Sequence, residues 1–201
     1  MAAAPIDFYF DFSSPYGYLA SRRIDELAAA HGRKVIWRPM LLGAAFKATG
    51  GAPLPSIPIK GVYAMRDFLR SARFYDIPYR QPTTFPVSTL SAARAFYWLQ
   101  DRDPAKAVAL AKALYIAYFT EDLDISRPEN VGEVASRFGV KAEDLAAALN
   151  DPAVKDRTKK EVDAAVAKGV FGSPYVVVDG EPFWGMDRLD QVERWLAKGP
   201  F

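Results

Sequence analysis

The stretch Ser14-Pro15-Tyr16-Gly17 carries the strongest chemical content in the chain. It follows Ile6-Asp7-Phe8-Tyr9-Phe10-Asp11-Phe12, an aromatic, alternating run that predicts a buried strand. Ser14 suits a helix N-cap, and Pro15 suits the first helical position, where a missing N–H costs nothing. A strand feeding directly into a helix N-terminus presents unpaired N–H groups and the positive end of the helix dipole, which together suit an anion. The same serine also reads as a plain cap, and the two roles are compatible. The chain contains no cysteine and one histidine, His31. Disulfides, a thiol nucleophile of the chain's own and Cys-type zinc sites are thereby excluded, as is a multi-His centre, and no metal is expected. His31-Gly32 reads as a helix end, where a cation suits the dipole, rather than as a catalyst.

Composition narrows the partners. At 201 residues, half of them hydrophobic, the chain can bury one sizeable core. The formal net charge is +2 and the basic residues are scattered, so nucleic acid is not expected as a partner. No apolar run approaches the ~20 residues of a membrane span. Met1 to Pro5 is too short to read as a signal peptide. A cytoplasmic protein without membrane attachment is the expectation.

The elements that must position Ser14 follow from periodicity. Leu19, Ala20, Ile24, Leu27 and Ala28 form an apolar stripe that predicts one helix over Pro15–His31. Val35-Ile36-Trp37-Arg38 predicts a second strand, ended by Pro39, so the chain opens with a βαβ unit. From Gly43 to about Lys168 no convincing strand occurs. Gly50 to Pro58 reads as a loop rich in Gly and Pro. Helices are predicted over Lys60–Phe74, Val87–Asp101, Pro104–Thr120, Pro128–Phe138, Lys141–Asn150 and Pro152–Lys168, with Pro104, Pro128 and Pro152 in first turns. The aromatic residues of Phe96-Tyr97-Trp98 and of Tyr115 to Phe119 read as helix-bundle core. Tyr175-Val176-Val177-Val178, the turn Asp179-Gly180 and Glu181-Pro182-Phe183-Trp184 predict a hairpin, and Asp187–Lys198 predicts a closing helix. The expected fold is therefore α/β: a thioredoxin-like βαβ…ββα sheet formed by residues 1–42 and 169–201, with an all-helical domain, 43–168, inserted between the halves.

Four motifs, in order along nearly the whole chain, resemble a known family. They are Phe10-Asp11-Phe12-Ser13-Ser14-Pro15-Tyr16, Pro58-Ile59-Lys60-Gly61-Val62-Tyr63, Gly169-Val170-Phe171-Gly172-Ser173-Pro174 and Phe183-Trp184-Gly185-Met186-Asp187-Arg188. The chain resembles the glutathione-dependent 2-hydroxychromene-2-carboxylate isomerases and their relatives, the kappa-class glutathione transferases. Ser14-Pro15-Tyr16-Gly17 stands where disulfide oxidoreductases of this fold carry Cys-Pro-x-Cys. The resemblance implies glutathione as cofactor, with Ser14 as the catalytic residue that donates a hydrogen bond to its thiolate; Ser13, one residue early, is the weaker candidate. It further implies glutathione contacts from Tyr16, Lys60, Ser173, Pro174, Met186 and Asp187. Ser173-Pro174 matches the cis-proline of the fold, which would turn the Ser173 N–H and C=O toward the tripeptide. Lys60 would meet the glycyl carboxylate, Met186 and Asp187 N–H the γ-glutamyl carboxylate, and the Asp187 side chain the ammonium.

The implied reaction is isomerisation of 2-hydroxychromene-2-carboxylate to trans-o-hydroxybenzylidenepyruvate, in aromatic catabolism, by reversible addition of the thiolate to a conjugated carbon. Phe12, Tyr16, Tyr18, Phe46 and Trp184 are candidates for the wall of an aryl pocket. The alternatives are a kappa-like glutathione transferase or peroxidase and a non-catalytic peptide-binding module. A disulfide oxidase is excluded by the missing cysteines. One departure stands out, in that many relatives carry Asn where this chain has Gly51. The resemblance also implies a small aromatic substrate and a homodimer.

Overall fold

The computed structural model describes residues 4–201, so Met1 to Ala3, the start of the segment expected to hold no leader, lie outside the described residues. The first strand, β1 (Ile6–Phe10), sits inside a four-stranded sheet. It pairs in parallel with β2 (Val35–Pro39) and antiparallel with β3 (Tyr175–Val178), and β3 continues antiparallel to β4 (Glu181–Trp184), giving the order β2-β1-β3-β4. Strand alternation sorts β1 onto two faces. Phe8 and Phe10 stack and meet Trp37 edge-on at 5.1 and 5.3 Å between ring centroids. Tyr9 faces the other way, into a smaller cluster with Met40, Ala45, Val170 and Tyr175.

The single helix expected over Pro15–His31 is two helices, α1 (Pro15–Ser21) and α2 (Ile24–Ala30). The break lies where Ser21 Oγ donates back to Tyr18 O at 2.6 Å and the N–H groups of Arg22 and Arg23 reach only three residues back, to Leu19 O and Ala20 O. Arg23 is drawn sideways over the Tyr75 ring, 4.4 Å from its centroid. A helix that the periodicity did not predict, α3 (Leu42–Thr49), follows β2.

Of the helices expected in the middle of the chain, α4 (Lys60–Phe74) has the expected ends, and α5 (Leu90–Gln100), α6 (Pro104–Phe119), α7 (Pro128–Ser136), α8 (Ala142–Asn150) and α9 (Pro152–Ala167) are present with one or both ends moved by a few residues. Asp103 and Asp151 cap α6 and α9 through Lys106 N and Ala153 N, and prolines open α6, α7 and α9. The closing helix, α10 (Leu189–Lys198), is shorter than expected, because Met186–Arg188 forms a separate 3-10 turn.

One buried cluster runs without interruption from Phe8, Phe10 and Trp37 of the sheet through Phe96 of α5 and Tyr115 of α6 to Val131 and Leu145. The sheet and the inserted helices thus share their apolar packing, and β1 lies at its centre. Among the described residues no helix is long and apolar enough to cross a membrane.

Candidate active site

The C-terminal end of β1 opens into a cleft of about 1200 Å³. Ser14, Tyr16, Ser173, Pro174, Met186 and Asp187 all line it. These residues come from three separated parts of the chain and converge because β1 and β3 are neighbours. Lys60 does not line it: it is exposed at the first position of α4, one turn before Tyr63, and the cleft-facing row of that helix begins with Tyr63. Of the five aromatic wall candidates, Tyr16, Phe46 and Trp184 line the cleft. Phe12 and Tyr18 are buried in the core instead. Both belong to the aromatic packing around Tyr115, at 5.4 and 5.8 Å between centroids.

Ser14 is the N-cap of α1, and its Oγ accepts from Gly17 N at 3.0 Å. A hydroxyl has one proton to give, and that proton goes to Ser173 O at 2.8 Å. The Ser173 carbonyl, expected to face a ligand, is therefore held by Ser14. Its N–H has no acceptor among the described residues, nor has the Tyr16 N–H that opens α1. The Ser173-Pro174 bond is cis, as expected. Gly17 explains how closely these parts approach. A Cβ there would stand 2.7 Å from Ser173 Oγ and 2.7 Å from Tyr115 Oη, closer than carbon and oxygen normally pack, so only glycine fits.

Asp187 lies in the 3-10 turn Met186–Arg188 rather than at the start of an α-helix. The N–H groups of Met186 and Asp187 open that turn, where no carbonyl of the turn itself reaches them. The Asp187 carboxylate is largely exposed to the cleft side and pairs with Arg188 at 2.8 Å. Gly51 is exposed, and a side chain there would press on Phe46, whose Cδ1 is 3.0 Å from the position of a Cβ.

The sequence reading missed Asp11. Its carboxylate is buried in the cleft wall and ties α3 and α5 to the β1–α1 junction. Oδ1 accepts from Ser13 N at 2.8 Å and from Thr89 Oγ1 at 3.1 Å, and Oδ2 accepts from Leu42 N at 2.7 Å. Thr89 is the N-cap residue of α5, yet its hydroxyl serves Asp11 instead of its own helix. The Asp11 backbone is held as firmly, with N–H donating to Ser173 Oγ and C=O accepting from Tyr115 Oη, both at 2.9 Å. Burial pushes the Asp11 carboxyl above the usual carboxylate range, against the pull of its three donors. An ionisable residue between Phe10 and Phe12 was the available signal, since a charge inside a buried aromatic run demands partners.

A second network stands on α4. Tyr16 Oη donates to Asp67 Oδ2 at 2.5 Å, and Arg70 donates to Asp67 Oδ1. Burial and the Asp67 carboxylate push the Tyr16 hydroxyl well above the ordinary phenol value, so it remains a donor. Burial works against ionisation of Asp67, but the hydrogen bonds from Tyr16 and Arg70 outweigh it and hold the carboxyl below its ordinary value.

With this geometry in view, likeness to known proteins becomes informative. The DSBA-like thioredoxin domain family matches over residues 5–197. A 2-hydroxychromene-2-carboxylate isomerase from Sphingobium xenophagum is 33% identical over 95% of this chain and 97% of its own length. Glutathione S-transferase kappa 2 from Caenorhabditis elegans is 29% identical over 97% of this chain and 94% of its own. The solved structure of a 2-hydroxychromene-2-carboxylate isomerase superimposes with a TM-score of 0.86 at 27% identity, covering 96% of this chain and 94% of that one.

Proposed function

The chain belongs to the DSBA-like thioredoxin family, and from that premise we propose that it is a glutathione-dependent isomerase of 2-hydroxychromene-2-carboxylate, its cleft holding glutathione beside an aromatic substrate. The observation that carries the reading is the convergence of Ser14, Ser173 and Asp187 on one cleft in a chain that has no thiol of its own. The donor set fits an extended, zwitterionic peptide. The Ser173 N–H and the adjoining cis-proline offer a free edge for backbone pairing. The Met186 and Asp187 N–H groups suit a carboxylate, and the Asp187 side chain suits an ammonium next to it.

Glutathione bound there supplies the thiol nucleophile that the chain lacks, and with it reversible addition to a conjugated carbon. The residues of the chain orient and stabilise. Ser14 Oγ turns its single proton from Ser173 O toward sulfur, favouring the ionised thiol, while Gly17 N keeps the oxygen in place. The free Tyr16 N–H adds a second donor at the same helix end. Asp11 fixes the Ser173 loop to the β1–α1 junction through its backbone N–H, while its C=O is held by Tyr115 of α6. Tyr16, Phe46 and Trp184 exclude water from an aryl group and hold it in place. The family resemblance adds a homodimer in the cytoplasm to this reading.

Mixing the protein with 2-hydroxychromene-2-carboxylate and following the ultraviolet spectrum tests the proposal. Turnover is expected with glutathione and none without it or with S-methylglutathione. Turnover that ignores glutathione would overturn the reading. The likeness to kappa-class transferases favours a second activity of the same site, conjugation of an aryl electrophile. It is read in the same assay as consumption of glutathione.

A further inference from the structure

Among the described residues two cationic side chains line the cleft, Arg70 and Arg188. They stand in different surroundings. Arg188 NH1 is paired with Asp187 in the turn after β4, at the end assigned above to the γ-glutamyl group. Arg70 stands on α4 in the row Tyr63, Asp67, Arg70 and Phe74, whose spacing of four, three and four residues places them on one helix face. All four line the cleft. Tyr63, Arg70 and Phe74 are 62%, 60% and 77% exposed. A helix face presenting two open aromatic rings and a guanidinium to a largely apolar cleft is not explained by packing.

The arginine is held but not used up. Its NH2 alone makes both bonds, to Tyr63 Oη at 2.9 Å and to Asp67 Oδ1. Its Cζ is 5.3 Å from the centroid of the Tyr63 ring. Asp67 is anchored in turn by Tyr16 Oη and, at 3.4 Å, by Ser71 Oγ. Nε and NH1 of Arg70 have no acceptor among the described residues. Both two-donor edges of a guanidinium include NH2, so what Arg70 keeps open is a set of single charged donors on NH1 and Nε, each able to meet one carboxylate oxygen. The anchor also links these donors to the Ser14 end of the cleft, because Tyr16 is two residues from Ser14.

We propose that Arg70 is the specificity-determining residue of the second-substrate site, its open guanidinium donors receiving the carboxylate of an aromatic acid whose ring lies among Tyr63, Phe74 and Phe46 of the cleft lining. The proposal rests on the reading of the cleft as a glutathione-plus-aryl site and adds the group that selects charge. Neutral aryl compounds of the same shape find the rings but not the charge-assisted contact.

Calorimetric titration with trans-cinnamate and with trans-cinnamamide, in the presence and absence of S-methylglutathione, tests it on binding alone. The wild type is expected to prefer the acid over the amide by about tenfold, the order of one charge-assisted contact. Arg70→Met abolishes that preference by weakening cinnamate about tenfold and leaving cinnamamide unchanged. Arg70→Lys restores part of it, keeping the positive charge without the planar donors that Tyr63 and Asp67 hold in place. Arg188→Met weakens S-methylglutathione and leaves the acid–amide preference intact. Equal wild-type affinities for acid and amide, no binding of either, or equal loss of both in Arg70→Met would overturn the assignment. So would loss of the preference in Arg188→Met in place of Arg70→Met. Failure of S-methylglutathione to bind the wild type, with the acid preference retained, would instead count against the glutathione reading. An unchanged affinity of Arg70→Met for S-methylglutathione, with an unchanged melting curve, establishes that the variant is folded.

Discussion

Replacing Gly17 by alanine probes the junction on which the site is built. In a helix, alanine is favoured over glycine by ~0.8–1 kcal/mol, so a site with space would be stabilised. Here the new methyl would lie 2.7 Å from both Ser173 Oγ and Tyr115 Oη and 3.1 Å from Ser14 Cβ. Neither oxygen retreats freely, because Ser173 Oγ accepts from the Asp11 N–H and Tyr115 Oη donates to the Asp11 C=O. Overpacking of this kind costs ~1–3 kcal/mol, and losing one of the two hydrogen bonds adds ~0.5–1.5 kcal/mol. The steric and hydrogen-bond terms outweigh propensity, leaving a net loss of about 1–3 kcal/mol. For a chain of this size that corresponds to a fall in melting temperature of about 2–4 °C per kcal/mol, read by calorimetry or circular dichroism. The cause is isolated by a double-mutant cycle with Tyr115→Phe, which removes one of the crowding oxygens. Gly17→Ala should cost ~1 kcal/mol less in that background. A melting temperature unchanged or raised in Gly17→Ala would refute the argument, and strict additivity in the cycle would remove Tyr115 from it.

Two further substitutions test the flanks of the site. Asp11→Asn places an amide NH2 against one of three converging donors and should cost ~1–3 kcal/mol. Because burial raises the Asp11 carboxyl, the native state holds that proton to higher pH than the unfolded chain. The advantage of wild type over Asp11→Asn should therefore be largest below the unfolded value near 3.8 and shrink as pH rises through the native value, measured by urea unfolding across that range. An advantage that grows with pH would mean that the hydrogen bonds dominate burial. Asp187→Asn should raise the dissociation constant for glutathione about tenfold while leaving that of its des-amino analogue unchanged, by calorimetric titration. Equal weakening of both ligands would make Asp187 structural.

What the sequence revealed and concealed divides along local and distant causes. The hairpin of β3 and β4 was legible because its strand residues and its Asp-Gly turn are contiguous. The helices opened by Pro104, Pro128 and Pro152 were legible for the same reason. α3 was not: it is eight residues long and contains Gly43, and its first N–H is capped by Asp11, 31 positions away. A helix that short does not announce itself by propensity. The break between α1 and α2 was hidden likewise, since the stripe from Leu19 to Ala28 continues across it and Arg23 is pulled out by Tyr75. In the site, Ser14 and the cis peptide at Pro174 were readable from motif and resemblance. The closure of the Ser14 proton on Ser173 O, the Asp11 hub and the anchored Arg70 guanidinium were not, because each joins groups brought together only by the fold.

The central claim, that Ser14 activates a thiol bound in this cleft, is tested most directly by titrating the thiolate absorbance of glutathione on the wild type and on Ser14→Ala. The account predicts a bound thiol that ionises at lower pH than free glutathione in the wild type, shifting back upward in Ser14→Ala while glutathione remains bound. A bound thiol that ionises at the same pH in both proteins would contradict it and leave Ser14 as nothing more than the cap of α1.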